Sequence, residues 1–224
     1  LDPWPAAKWG FVHGFLVGAL GITWFWNIFA QAAIPLWAIF AVWFGLFHAG
    51  CAGLRRGFGS VAAIWLAPVW WTAVEFFRAE CYYLRCTFLC LGHALAAQSC
   101  PLRLAASWFG AYGLGLLIMG VNVAVAALIM TTPRQRKHAL SAAVAWAGLL
   151  IFATGAAFLT SPAPSGEAVR VVLIQSEAPF IDDKIELSRE TADYEPAFIF
   201  WPEISVLSDV TSNPMMRDPV AQLA

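Results

Sequence analysis

Ahead of Glu167 the chain carries only three carboxylate side chains, Asp2, Glu75 and Glu80; the other eleven of its fourteen Asp and Glu residues follow. Between those few charges run long apolar stretches, and they restrict what the first three quarters can fold into. A bilayer core of about 30 Å is crossed by about 20 apolar residues in a helix. The uncharged runs at residues 9–36, 36–54, 57–74, 104–130 and 139–160 have that length. The first must break within Asn27–Pro35, so spans are expected at about 10–28, 35–54, 58–77, 105–130 and 139–160. One such run could be a buried core helix, but five in succession exceed what one soluble core can hide. Overall, 12% of residues are charged and 60% hydrophobic, against about a quarter charged in a soluble domain.

The expected fold class is therefore a multi-pass α-helical membrane bundle followed by the start of an α/β domain. Residues 1–165 form the membrane part and residues 166–224 an aqueous one. The net charge of −1 argues against a nucleic-acid partner. No charged leader precedes an apolar core, and Leu1 is not an initiator, so the native chain is expected to begin earlier.

Loop charges orient the spans. Lys8, then Arg55 and Arg56, then Arg134, Arg136 and Lys137 fall on one side if five spans alternate, and that side is expected to be cytoplasmic. The Glu80–Arg103 segment and the tail then lie outside, which in a bacterium is the periplasm. Gly10, Gly14 and Gly18 recur every four residues and predict close approach of another helix. Trp24, Trp26, Trp70, Trp71 and Trp108 lie near predicted span ends, as in an aromatic belt.

Glu75 and Arg78 stand three apart near the outer end of the third span. Ionisable groups at that depth pair or serve a function; an i,i+3 pair and a direct role in substrate binding are both open. Cys81, Cys86, Cys90 and Cys100 lie in the outer segment without the two-residue spacing of a zinc or redox motif. A disulfide among them is compatible with an oxidising compartment. No metal and no cofactor are expected.

In the tail, Val169–Gln175 is short, β-branched and apolar, and reads as a strand buried on both faces. Asp182 or Asp183 could cap a helix running to about Tyr194. Ala197–Trp201 reads as a second strand, with Pro202 and Glu203 at its carboxyl end, where open α/β sheets place their chemistry. Glu203, screened by Trp201, is a candidate general base, and capping of a following helix is the alternative.

Taken in order, several of these segments resemble the bacterial apolipoprotein N-acyltransferase family. The matching segments are Gly14–Leu16 with Gly21–Trp24, Ala67–Trp70 with Glu75–Arg78, and Pro101–Leu102 with Trp108–Gly113 and Val121–Asn122. In the tail, Val171–Gln175 with Pro179 and Lys184 resembles the opening strand and loop of a nitrilase-like domain, and Phe200–Glu203 the motif bearing its catalytic glutamate. The resemblance implies an αββα carbon–nitrogen hydrolase domain outside the inner membrane. It also implies transfer of an acyl chain from a membrane phospholipid to the N-terminal amine of a diacylated lipoprotein. The family chemistry uses a Glu–Lys–Cys trio: glutamate activates the thiol, a thioester forms, and the amine takes the acyl chain.

Catalytic Glu203 is then carried over, with Glu75, Arg78 and Trp201 as substrate-binding candidates. Lysine and cysteine are expected downstream of Glu203, and no residue up to Ala224 supplies either. Lys184 precedes Glu203, and all five cysteines precede Val169. Residue 177 is glutamate where the family pattern has asparagine. The chain accordingly reads as a fragment, inactive as written and missing the family's first spans. A membrane-anchored nitrilase-type amidase and a non-enzymatic transporter or scaffold are the competing readings.

Overall fold

The computed structural model describes residues 2–96, 100–130, 132–160, 166, 168–175, 180–201 and 214–221. It divides into two compact units, Leu1–Ser161 and Pro162–Ala224.

The first unit is helical. Helix α1 is Pro3–Gly21, with proline in its first turn, where the missing N–H costs nothing. The short α2, Trp24–Phe29, follows, and then α3, Ala33–Phe76, 44 residues long. Drawn straight, α3 would run about 66 Å, twice a bilayer core. It does not run straight, because Gly59 adopts φ 84°, ψ 167°, backbone that only glycine adopts readily. The second arm folds back on the first. Phe47 and Trp71 have ring centroids 5.1 Å apart, Trp43 and Phe77 5.9 Å. Any Cβ added to Gly50 would lie 2.0 Å from the Trp70 indole nitrogen.

Apart from the short α2, the successive long elements α1, the first and second arms of α3, α4 and α5 pack antiparallel. The α1 face made of Ala6, Gly10, Gly14 and Gly18 is buried. A Cβ on Gly10 or Gly14 would meet Phe44 of α3 at 2.6 or 2.5 Å. The predicted close approach is thus made by the first arm of the same chain. The second arm packs on α4, Ala106–Met130, through Ile64 and Ala124 and through Phe76 and Tyr112. Helix α4 packs on α5, Pro133–Thr160, with Trp146 filling the space over Gly120.

By length and hydropathy, three stretches among the described residues could cross a membrane: Trp24–Cys81, Pro101–Met130 and Arg136–Thr160. Five separate stretches are not distinguished. The second and third expected spans are merged as the two arms of α3, and α1 carries Lys8, His13 and two prolines, which lower its hydropathy. Of the five tryptophans expected in a belt, Trp24, Trp26 and Trp108 are exposed and Trp70 is half-buried, whereas Trp71 is buried between the arms.

The second unit contains two three-residue strands, β1 (Val171–Leu173) and β2 (Phe198–Phe200), paired in parallel with Val171 opposite Phe198 and Leu173 opposite Phe200. Helix α6, Ile181–Glu190, connects them, and α7, Pro214–Ala221, follows. Asp182 and Asp183 sit in the first turn of α6 rather than at its cap, where the helix dipole still favours them. Burial on both faces is not what the strands show. Val171, Leu173, Phe198 and Phe200 are all exposed on one face, because a two-stranded sheet offers nothing to cover it. Among the described residues, this sheet shows no nitrilase-like domain.

Candidate functional site

The polar chemistry of the first unit gathers where α3 ends. Pro68 lacks an N–H and interrupts the helix ladder, and Thr72 donates its hydroxyl to the Pro68 carbonyl at 3.0 Å. The helix then widens into one π turn, Phe77–Cys81, closed by the Tyr82 amide on the Phe77 carbonyl at 2.8 Å. Such turns are rare and frequent at functional sites. This one turns Arg78 inward.

Glu75 and Arg78 are both 1% exposed. Their closest approach, Arg78 Nη2 to Glu75 Oε1, is 3.9 Å, too long for a hydrogen bond. Each instead reaches the segment after the helix. The Leu91 amide donates to Glu75 Oε1 at 2.7 Å, and Arg78 Nη2 donates to Cys90 Sγ at 3.4 Å. The guanidinium lies 4.7 Å over the Phe40 ring, a cation–π contact from the π turn to the first arm of α3. Glycines make the close packing feasible. A Cβ on Gly115 would stand 3.2 Å from Glu75 Oε2, and one on Gly92 only 2.0 Å from the Ala111 carbonyl oxygen.

Among the described residues, Arg78 Nε and Nη1 are buried without a hydrogen-bond partner, and buried polar groups are rarely left so. One turn away, the Tyr112 hydroxyl donates to Glu80 Oε1 at 2.5 Å, joining α4 to the π turn. Burial, and then the Glu75 carboxylate, push the Cys90 thiol above its ordinary range. The structure therefore fastens Leu91 and Cys90 to α3 through a buried ion pair. The spacing of Glu75 and Arg78 made the pair legible, but nothing local signalled its partners at residues 90 and 91. All five cysteines are free thiols.

Beside this site lies an apolar cavity of about 180 Å³, lined by Ile22, Phe25, Phe40, Trp43 and Phe88 among others. At the opposite end of the bundle, Asp2 pairs with Arg56 at 3.1 Å, which places the N-terminus beside the Gly59 bend.

In the second unit, the Trp201 indole donates to Ser188 Oγ of α6 at 3.1 Å. Trp201 and Ser188 line a cavity of about 580 Å³ with Pro196, Phe198 and Val220. Lys184 is fully buried. The candidate catalytic Glu203 lies outside the described residues.

Residues 2–124, more than half of the chain, match the apolipoprotein N-acyltransferase N-terminal domain. No curated protein and no solved structure gives a significant match. The matched region contains α1, both arms of α3, the Glu75–Arg78 site and most of α4. With three helical stretches long and apolar enough to cross a bilayer, this match makes the chain a membrane protein belonging to the apolipoprotein N-acyltransferase family.

Proposed function

We propose that this chain carries the membrane part of an enzyme that moves an acyl chain from a phospholipid to the N-terminal amine of a diacylated lipoprotein. The observation that carries the reading is the family match over residues 2–124. Both substrates are lipid-anchored, so a site at the membrane surface spares each from leaving the bilayer.

In this reading the bundle crosses the bacterial inner membrane five times: α1, the two arms of α3, α4 and α5. The end bearing Lys8, Arg55, Arg56, Arg136 and Lys137 faces the cytoplasm, since basic loops stay inside. The end bearing Glu75 and Arg78 faces the periplasm, where residues 166–224 open a nitrilase-like domain. Glu203 is the general base that activates a thiol, and Trp201 shields it. The thiol forms a thioester with release of the lysophospholipid, and the lipoprotein amine then takes the acyl group and frees the thiol. Glu75 and Arg78 act as positioning residues, holding the segment around Leu91 at the membrane surface where lipid substrates arrive.

The test is complementation with the full-length native gene in cells depleted of their own N-acyltransferase, read by mass spectrometry of lipoprotein N-termini. The wild-type gene should restore triacylated termini, and Glu203→Ala should leave them diacylated. Diacylated termini with the wild-type gene, in cells where the protein is present in the membrane, would overturn the assignment.

A further inference from the structure

The end of the bundle opposite Glu75 holds a cavity of about 330 Å³ between the two arms of α3 and α4. Its walls include Phe47, Ile64, Val123 and Met130, and Arg55 is the charged group among its lining residues. Phe47 and Arg55 are eight residues apart on one arm, so the slot extends about 12 Å along the helix. Neighbouring arginines here differ. Arg56 is held by Asp2 at 3.1 Å, whereas Arg55 is exposed and makes no ion pair or hydrogen bond among the described residues.

Arg136 and Lys137 add exposed positive charge in the first turn of α5. Asp2 is the only carboxylate of residues 1–165 at this end, since Glu75 and Glu80 belong to the other. A transmembrane helix, about 10 Å wide with its side chains, does not fit so small a space, whereas an unbranched hydrocarbon does. Basic pockets between membrane helices take anionic headgroups.

We propose that this slot seats the headgroup-proximal half of one acyl chain of an anionic phospholipid, with its phosphate on Arg55. A zwitterionic lipid would bring an ammonium to the same basic end of the bundle and gain less. The inference requires the bundle to lie in a bilayer but is independent of acyl transfer.

Native mass spectrometry of the purified full-length protein, offered equal dioleoyl phosphatidylglycerol and dioleoyl phosphatidylcholine, tests it. Phosphatidylglycerol adducts should exceed phosphatidylcholine adducts about fivefold, the contribution of one juxtamembrane arginine. Arg55→Gln should bring the ratio near one and Arg55→Lys should keep it. Ala63→Leu, which narrows the slot, should reduce adducts of both lipids, with circular dichroism confirming the fold. Glycerol phosphate at the same concentration should not compete, because it has no chain to bury. An unchanged ratio in Arg55→Gln, or full competition by glycerol phosphate, would overturn the proposal. Lipoprotein acylation is not the readout, so this result stands whether or not the transferase reading does.

Discussion

The Leu91 amide donates to Glu75 Oε1 at 2.7 Å across sixteen residues of chain. A buried carboxylate thus does what a turn or cap would do elsewhere: it satisfies a backbone donor and fixes the segment that leaves the helix. Removing one member of a buried pair leaves the other charge uncompensated, at about 3–5 kcal/mol. Glu75→Ala should therefore lower the unfolding midpoint of the detergent-solubilised protein substantially. Glu75→Gln, which keeps an acceptor for Leu91, should lower it less. Equal losses in the two variants would mean that the Leu91 bond contributes nothing.

Thiol chemistry reports on the same anchor. Cys81 is exposed and Cys90 buried, so maleimide should label Cys81 first at pH 7, with Cys90 lagging by an order of magnitude or more. In Glu75→Ala the lag should shrink as the segment loosens. The pH dependence has a definite sign. The folded Cys90 thiol titrates above its ordinary value near 9, so the folded state keeps a proton that the unfolded chain loses. The associated stability is present below about pH 9 and falls as pH rises through the folded value. Cys90→Ala should flatten that alkaline decline in a melting series.

Two glycines should respond in opposite directions to the same substitution. At Gly92 a Cβ would come 2.0 Å from the Ala111 carbonyl oxygen, while at Gly148 nothing lies within 4 Å. Gly92→Ala should cost about 1–3 kcal/mol, the usual range for overpacking. Gly148→Ala, inside helix α5, should stabilise by about 0.5–1 kcal/mol. Melting of both variants in one detergent settles the comparison.

Gly59 is a different case, with open space around it but φ of 84°. Gly59→Ala should cost about 1–3 kcal/mol from backbone strain alone. Gly57→Ala, two residues away and also without neighbours within 4 Å, should be tolerated. If both are equally mild, the bend does not depend on Gly59.

How much of this was legible beforehand depends on the range of the contact. The Gly10–Gly14–Gly18 stripe is a one-helix pattern, and it predicted the close approach of another helix; the Glu75–Arg78 spacing marked a pair and left its role open. The break between the second and third spans is visible as Arg55 and Arg56, but nothing in the sequence singles out Gly59 among the nearby glycines. Only packing of the arms selects Gly59. Trp71 lay near a span end and was assigned to the interface. Its burial comes from Phe44 and Phe47, more than twenty residues earlier, which no local window registers. Leu91 and Gly92 carry no signal at all, because their role is a backbone amide and the lack of a side chain. In the tail, the strand residues were readable, but their burial was not. It depends on what covers the sheet.

The fold-back at Gly59 bears on how the protein is made. Because each long element, α1, the two arms of α3, α4 and α5, packs against the long element synthesised just before it, a chain emerging into the membrane finds its partner already in place. The two arms of α3 can pair through Phe47, Trp71, Trp43 and Phe77 before α4 has been translated. Contacts so close in sequence form quickly, and the bundle can assemble in the order of its own biosynthesis.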